Sequence, residues 1–170
     1  MRAPAIRWGL PLFLAAVLGV GAAMAATASL HSSGATVQVM KSSKYGTVLV
    51  SSTGLTLYRY ALDKKGVSVC GAGCVPIWPP YLVKGKAKPT AGTGATARLL
   101  GTIKRSNGAL QITYAGFPLY IYSGDKKPGA MTGEGFEKHW YVVSATGTMV
   151  KHAVAASGGQ TTTARKGGWG

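Results

Sequence analysis

Two stretches of the sequence predict the fold, GLTLYRYALD at 54–63 and GFPLYIYSGD at 116–125. Each is one copy of a Tyr-x-Tyr-x-x-Asp repeat. A shift of 62 positions superposes the copies and extends outward, without gaps, to 46–85 against 108–147. Twelve of these forty pairs are identical, whereas roughly three are expected by chance at ordinary composition. The identities fall on Gly, Tyr, Trp, Asp and other residues with positional roles, so we infer an internal duplication.

Each copy predicts an antiparallel hairpin. Short runs rich in β-formers precede a glycine-bearing turn, and a second strand leads back from it. The strands are predicted at 47–51, 55–60, 109–113 and 117–122, with three-residue turns at 52–54 and 114–116. No segment after residue 25 shows a helical period. We therefore predict an all-β fold of two tandem antiparallel repeats with pseudo-two-fold symmetry, arranged as a sandwich or barrel.

The N-terminus predicts export. Arg2 and Arg7 flank the start of an apolar run at 8–20, and a small-x-small pattern ends at Ala25, as in a cleaved signal peptide over 1–25. An uncleaved membrane anchor is the alternative. No cysteine lies near this boundary, so we predict no lipobox and no lipid attachment. We expect a periplasmic or extracellular protein without a stable transmembrane span in its mature form.

The remaining chain divides by composition. A Ser/Ala/Thr-rich stretch predicts a flexible segment at 26–43 with one possible strand at 36–40, and a Gly/Thr/Lys-rich stretch predicts a disordered tail at 157–170. Between them, 44–156 is long enough to form one β domain. Its two halves are repeat 1 at 46–85 and repeat 2 at 108–147.

The charge balance is strongly basic, with 19 Lys and Arg against 4 Asp and Glu and a net charge of +15. This predicts attraction to anionic envelope polymers or to a lipid surface. Nucleic acid would satisfy the same electrostatics, but an exported protein meets little of it, so no nucleic acid is expected. The alternative is that the charge only keeps the protein soluble.

The only two cysteines, Cys70 and Cys74, predict a disulfide, because an even count outside the cytosol favours pairing. A second hypothesis is a copper or redox site. A dinuclear copper loop would need a histidine four residues after Cys74, where Trp78 stands instead. Met131 and His139 of repeat 2 would complete a soft-metal site with the cysteines if the two loops converge. Our main prediction is the disulfide, and with it we expect no cofactor.

Several of these stretches resemble one bacterial family. They are GTVLV at 46–50, the repeat motif at 54–63, CGAGCVPIWPP at 70–80 and PLYIY at 118–122. In this order they are similar to the predicted lipoproteins with a Tyr-x-(Phe/Trp/Tyr)-x-x-Asp motif, the secreted repeat of unknown function. The resemblance covers about 44–147. It implies an envelope location and a tandem β-repeat, and it implies no catalytic activity.

The repeat motif has two readings. Its members are Tyr58, Tyr60, Asp63 and Trp78 in repeat 1, and Tyr120, Tyr122, Asp125 and Trp140 in repeat 2. Because strand side chains alternate, the two tyrosines of each copy share one face. They form either a stacking surface for a ligand such as a sugar, or a packed core with the aspartates capping turns. The motif is present in both copies, and this favours the packed-core interpretation, since a duplicated fold must repeat its framework.

Hydrolytic motifs such as Gly-x-Ser-x-Gly and His-Glu-x-x-His are absent from the sequence. A carboxylate pair for glycoside hydrolysis would have to combine Asp63 with Asp125 or Glu134. We therefore predict a non-enzymatic exported domain that binds anionic envelope material or an envelope protein. A metal or redox accessory protein using the Cys/Met/His loops is the first alternative, and a carboxylate-based hydrolase is the second.

Overall fold

The computed structural model describes residues 35–85 and 87–153, and this part of the chain consists of strands, turns and two short 3₁₀ helices. The all-β class is therefore confirmed. The predicted signal peptide at 1–25 and the predicted tail at 157–170 lie outside the described residues.

Eight short strands pair in three small sheets. The strands are β1 (Thr36–Ser42), β2 (Gly46–Ser51), β3 (Tyr58–Tyr60), β4 (Thr90–Ala91), β5 (Leu100–Lys104), β6 (Leu110–Tyr114), β7 (Phe117–Pro118) and β8 (Trp140–Val142). The strand orders are β2-β1-β4, β3-β8 and β5-β6-β7, and β1 with β4 is the one parallel pair among them. The 3₁₀ helices are Ala97–Leu99 and Phe136–Lys138.

Strand β1 lies inside the segment that was expected to be flexible, 26–43. It pairs with β2 from Val37 against Ser51 to Ser42 against Gly46, and Val37 is completely buried. The alternating valines of this segment fill the core, and this outweighs its Ser/Ala/Thr-rich composition. The folded part thus begins earlier than the predicted residue 44, and 26–34 lies outside the described residues.

The two repeats are interlocked around a pseudo-two-fold axis. At this axis Tyr58 N–H donates to Tyr120 O at 2.9 Å, and Tyr120 N–H donates to Tyr58 O at 3.0 Å. Val142 of repeat 2 pairs with Tyr58 of repeat 1, and Pro80 of repeat 1 pairs with Tyr120 of repeat 2. Each repeat therefore completes a sheet contact of the other.

The two hairpin turns differ by one residue. In repeat 1, Ser51 N–H donates to Leu55 O at 2.8 Å, which leaves a three-residue turn whose Gly54 has φ +80°. In repeat 2, Tyr114 pairs with Phe117, so the predicted three-residue turn at 114–116 is wrong. The turn has two residues, Ala115 and Gly116, with φ of 52° and 84°, as a type I′ turn requires.

This difference shifts the internal register before the turns. Leu57 N–H donates to Leu49 O, and Leu119 N–H donates to Ile112 O, each at 3.0 Å. Leu49 is therefore equivalent to Ile112 rather than to Gln111. The 62-residue shift holds from the turns to the motif aspartates, Asp63 and Asp125, and a 63-residue shift holds before the turns.

The buried apolar side chains form two clusters. The aliphatic cluster contains Val37, Leu49, Leu57, Tyr81, Val83, Ile112, Tyr114, Leu119 and Val143. The aromatic cluster contains Val48, Tyr58, Cys70, Trp78, Tyr120, Trp140 and Val142. Leu57 and Tyr58 belong to different clusters because successive strand residues point to opposite faces. The repeat motif therefore builds the aromatic cluster.

Candidate functional site

The tyrosine and aspartate of the motif pair across the repeats. Tyr58 hydroxyl donates to Asp125 Oδ2, and Tyr120 hydroxyl donates to Asp63 Oδ2, each at 2.6 Å. Both tyrosines are fully buried, and Asp63 and Asp125 are 7% and 4% exposed. The motif thus places these four side chains at the joint between repeats, where a ligand has no direct access.

Burial changes the acidity of these groups. It raises the pKa of the Tyr58 and Tyr120 hydroxyls above the usual value, and the nearby carboxylates add to this shift. Burial also raises the pKa of Asp63, although hydrogen bonds from Tyr120 and Val69 N–H oppose the change. Both hydroxyls therefore stay protonated as donors at neutral pH.

The remaining motif aromatics form a four-ring stack. Trp78 and Trp140 lie parallel, with ring centroids 3.9 Å apart and planes 1° apart. Tyr60 stacks on Trp140 at 4.4 Å, and Tyr122 packs against Trp78 at 4.5 Å. The tryptophans are buried and the tyrosines half-buried. The tyrosine rings that could have stacked on a sugar are thus stacked on tryptophans of the protein itself.

The Cys70–Cys74 disulfide is confirmed, with Cα atoms 5.3 Å apart. Neither sulfur is therefore a free thiolate for a metal. His139 lies edge-on to Tyr60, and Met131 packs against the aromatic cluster. Within 35–85 and 87–153, no three His, Cys, Asp or Glu side chains are grouped as metal ligands.

Repeat 2 closes the equivalent loop without a disulfide. The 62-residue shift places Phe136 opposite Cys74, and Phe136 N–H donates to Gly133 O as Cys74 N–H donates to Gly71 O. Thr132 Oγ1 donates to Asp125 Oδ1 at 2.6 Å, and Phe136 packs on Trp78 with centroids 5.7 Å apart. The two loops hold the same aromatic cluster by different chemistry, which gives the disulfide a structural role.

Arg105, which the sequence did not single out, links the turn after β5 to the disulfide loop. Its Nη2 donates to Cys70 O at 2.7 Å and its Nη1 to Ser68 Oγ at 3.0 Å. Ser68 Oγ lies 2.7 Å from Tyr120 hydroxyl, which in turn donates to Asp63. A hydrogen-bond chain thus runs from the buried aspartate to a groove of about 280 Å³ lined by 66–71 and 103–106.

Exposed apolar side chains are concentrated in one connection of the chain, and two of them, Val67 and Val69, line this groove. Within the described ranges the large apolar residues with high exposure are Leu62 at 53%, Val67 at 50%, Val69 at 53% and Ile77 at 44%. All four lie in the connection between β3 and Trp78. Their aliphatic character is visible in the sequence, but their exposure depends on tertiary packing.

The carboxylates are largely withdrawn from the surface. Asp63 and Asp125 are buried, and Glu134 is partly buried and accepts a hydrogen bond from Val142 N–H at 2.6 Å. Glu137 is the exposed one. The exposed cations among the described residues are Lys41, Lys44, Lys64, Lys65, Lys84, Lys88, Arg98, Lys104, Lys126, Lys127, Lys138 and Lys151. The surface is therefore more one-sided in charge than the composition indicates.

Comparisons with known proteins agree with this architecture. A family model described as a secreted repeat of unknown function matches the chain twice, at 39–81 and at 101–144. No similar curated protein and no similar solved structure was found. Across 35–85 and 87–153 there is no helix of the length and apolarity that a membrane span needs.

The matched segments begin inside β1 and at β5, so the family unit includes the strand that precedes each predicted repeat. The matched segments begin seven residues before the predicted repeat starts at 46 and 108. The disulfide and the secreted-repeat match fit an exported protein. The chain belongs to the family of secreted repeats of unknown function.

Proposed function

We propose that this protein is a non-enzymatic binding module of the cell envelope, periplasmic or extracellular, whose basic surface binds anionic envelope material. One observation carries the proposal: twelve lysines and arginines of the described residues are exposed, against one exposed carboxylate, Glu137. The buried aspartates are not exposed to form ion pairs with these surface cations. Long-range attraction to anionic polymers or headgroups follows from this imbalance.

The size of the effect is sufficient for reversible binding. A lysine near an anionic surface contributes about 1 kcal/mol at physiological ionic strength. Three lysines acting together would supply about 3 kcal/mol, or roughly a hundredfold in partitioning. Such binding should weaken steeply as salt shortens the screening length.

The contacts of the acids support a non-enzymatic role. A general acid or base must come within hydrogen-bond reach of its substrate. Asp63 and Asp125 instead accept hydrogen bonds from tyrosines and from backbone N–H groups inside the core. The Cys/Met/His alternative loses its thiolate ligands to the disulfide.

The proposal is tested by co-sedimentation of the exported protein with vesicles. Phosphatidylcholine vesicles serve as the neutral probe, vesicles containing phosphatidylglycerol as the anionic one, and soluble polyphosphate as a lipid-free anion. We expect binding to both anionic probes that is lost when salt rises from about 50 mM to about 500 mM. The proposal is contradicted if the protein binds neither anionic probe at low salt, or if it binds neutral vesicles equally well. The remaining hypothesis would then be that the protein binds an envelope protein.

A further inference from the structure

The connection after β3 contains a tight hairpin, which we call the 62–69 hairpin. Lys64 N–H donates to Val67 O at 3.2 Å, and Val67 N–H donates to Lys64 O at 3.0 Å. Lys65 and Gly66 form the turn between them. The exposed side chains of the hairpin are Leu62, Lys64, Lys65, Val67 and Val69.

This hairpin is fixed to the folded domain. Gly66 N–H donates to Gly116 O of repeat 2 at 2.8 Å, and Val69 N–H donates to the buried carboxylate of Asp63 at 2.7 Å. Val67 and Val69 also line the groove together with Ile103. The apolar side chains are therefore presented from a hydrogen-bonded support, which lowers the ordering cost of binding.

Repeat 2 provides an internal comparison. Its equivalent turn keeps the two lysines as Lys126 and Lys127, and Gly129 N–H donates to Gly54 O at 3.0 Å. Glycine stands opposite Leu62, at Gly124. Thr132 takes the structural place of Val69, because its N–H donates to Asp125 as Val69 N–H donates to Asp63. The two turns thus carry the same lysine pair, and exposed aliphatic side chains accompany the pair in repeat 1.

We propose that the 62–69 hairpin docks on the surface of an anionic phospholipid bilayer. Lys64 and Lys65 meet the headgroups, and the aliphatic side chains enter the boundary between headgroups and acyl chains. This inference rests on the proposed function and narrows its ligand to lipid. Lipid is favoured because the hairpin combines positive charge with exposed apolar surface. A phosphate polymer would interact with the lysines alone, whereas a bilayer interface also buries the aliphatic side chains.

The test uses the exported chain and three variants. The first, Leu62→Ser/Val67→Ser/Val69→Ser, removes apolar surface and leaves the charge unchanged. The second and third are the matched pairs Lys64→Gln/Lys65→Gln and Lys126→Gln/Lys127→Gln, which remove the same charge from each repeat. Vesicle co-sedimentation and polyphosphate binding are measured for all of them, and tryptophan fluorescence checks the fold.

We expect the triple serine variant to lose at least about tenfold in partitioning to phosphatidylglycerol vesicles, with polyphosphate binding unchanged. Lys64→Gln/Lys65→Gln should weaken vesicle binding more than Lys126→Gln/Lys127→Gln does. Wild-type vesicle binding by the triple variant, or equal effects of the two lysine pairs, would overturn the hairpin proposal while leaving binding to anions intact. If the wild-type chain binds neither anionic probe, the proposed function fails as well. Should the triple variant misfold, single Val67→Ser and Val69→Ser variants carry the same test.

Discussion

At the scale of single residues, the aspartate of each motif is held by the tyrosine of the other copy. The sequence identified both residue types and their equivalence, because they recur at the same spacing. It could not identify the partners, because Tyr58 and Asp125 are 67 positions apart and meet through tertiary structure. The same limit explains why Arg105 was missed, since its partners Ser68 and Cys70 lie 37 and 35 positions away along the chain.

Removing the Tyr58 hydroxyl should show how much the Tyr–Asp hydrogen bond contributes to stability. Tyr58→Phe leaves Asp125 Oδ2 without its donor in the core, which should lower the free energy of unfolding by about 1–3 kcal/mol. Tyr60→Phe is the control, because Tyr60 is half-buried and stacks through its ring, and it should cost less than about 0.5 kcal/mol. Urea unfolding followed by tryptophan fluorescence measures both. Equal costs for the two variants would show that the Tyr58 hydroxyl contributes nothing particular.

The raised pKa of Asp63 predicts a dependence of stability on pH. Since burial raises its pKa in the folded state above the ordinary value of 3.8, folding takes up a proton between the two pKa values. The stability linked to this proton is complete below the unfolded-state pKa and is lost as pH rises through the folded-state pKa. The wild-type protein should therefore lose stability relative to Asp63→Asn as pH increases from 3.8. Urea titrations across this interval test the sign, and a difference that grows in favour of the wild type with rising pH would reverse it.

At the scale of elements, local sequence predicted the strands before the turns better than those after them. The strands predicted at 47–51 and 109–113 agree with β2 and β6 to within one residue at each end, whereas only 58–60 of 55–60 and 117–118 of 117–122 are strands. Between the repeats, β2 and β6 are offset by one position because the turns differ in length. The sequence shows Gly54 and Gly116 in equivalent places, but it does not show that Ala115 adopts φ of 52°. Strand β1 was undervalued for another reason: its support comes from pairing with β2 and from burial of Val37.

Alanine substitutions at two glycines test the contact between the repeat 1 turn and Pro128 of repeat 2. Gly54 and Gly66 have φ of 80° and 74°, so alanine at either position costs about 1–2 kcal/mol in backbone strain. A Cβ at Gly54 would also lie 2.9 Å from Pro128 Cβ, whereas a Cβ at Gly66 meets nothing within 4 Å. Gly54→Ala should therefore destabilise the protein more than Gly66→Ala, as measured by thermal unfolding. Identical melting temperatures for the two variants would mean that Pro128 yields freely.

At the scale of the whole molecule, the repeats are joined by exchanged contacts rather than placed side by side. The stacked tryptophans, the crossed Tyr–Asp pairs and the reciprocal Tyr58–Tyr120 hydrogen bonds all contain one member from each repeat. The sequence predicted two copies and a pseudo-two-fold axis. It could not predict the exchange, because intramolecular spacing is the same whether a repeat pairs with itself or with its neighbour.

Cutting the chain between the repeats should leave a folded two-piece complex. A protease site inserted between the exposed residues Lys84 and Gly85 would separate the segments without replacing a residue of either cluster. The nicked protein should elute as one species and unfold in a single transition, and each purified half should lack the folded fluorescence until the halves are mixed. A half that folds alone would contradict the interlocked arrangement.

The reciprocal Tyr58–Tyr120 bond also bears on ancestry. Two identical surfaces meeting at a two-fold axis are the hallmark of a homodimer, and here both surfaces belong to one chain. The geometry points to an ancestral single repeat that paired with its own copy before duplication and fusion. In a single chain the two halves need not be identical: one loop has the disulfide and the other has Phe136. One turn likewise has Leu62 where its counterpart has Gly124, a difference that a symmetric dimer of identical chains cannot have.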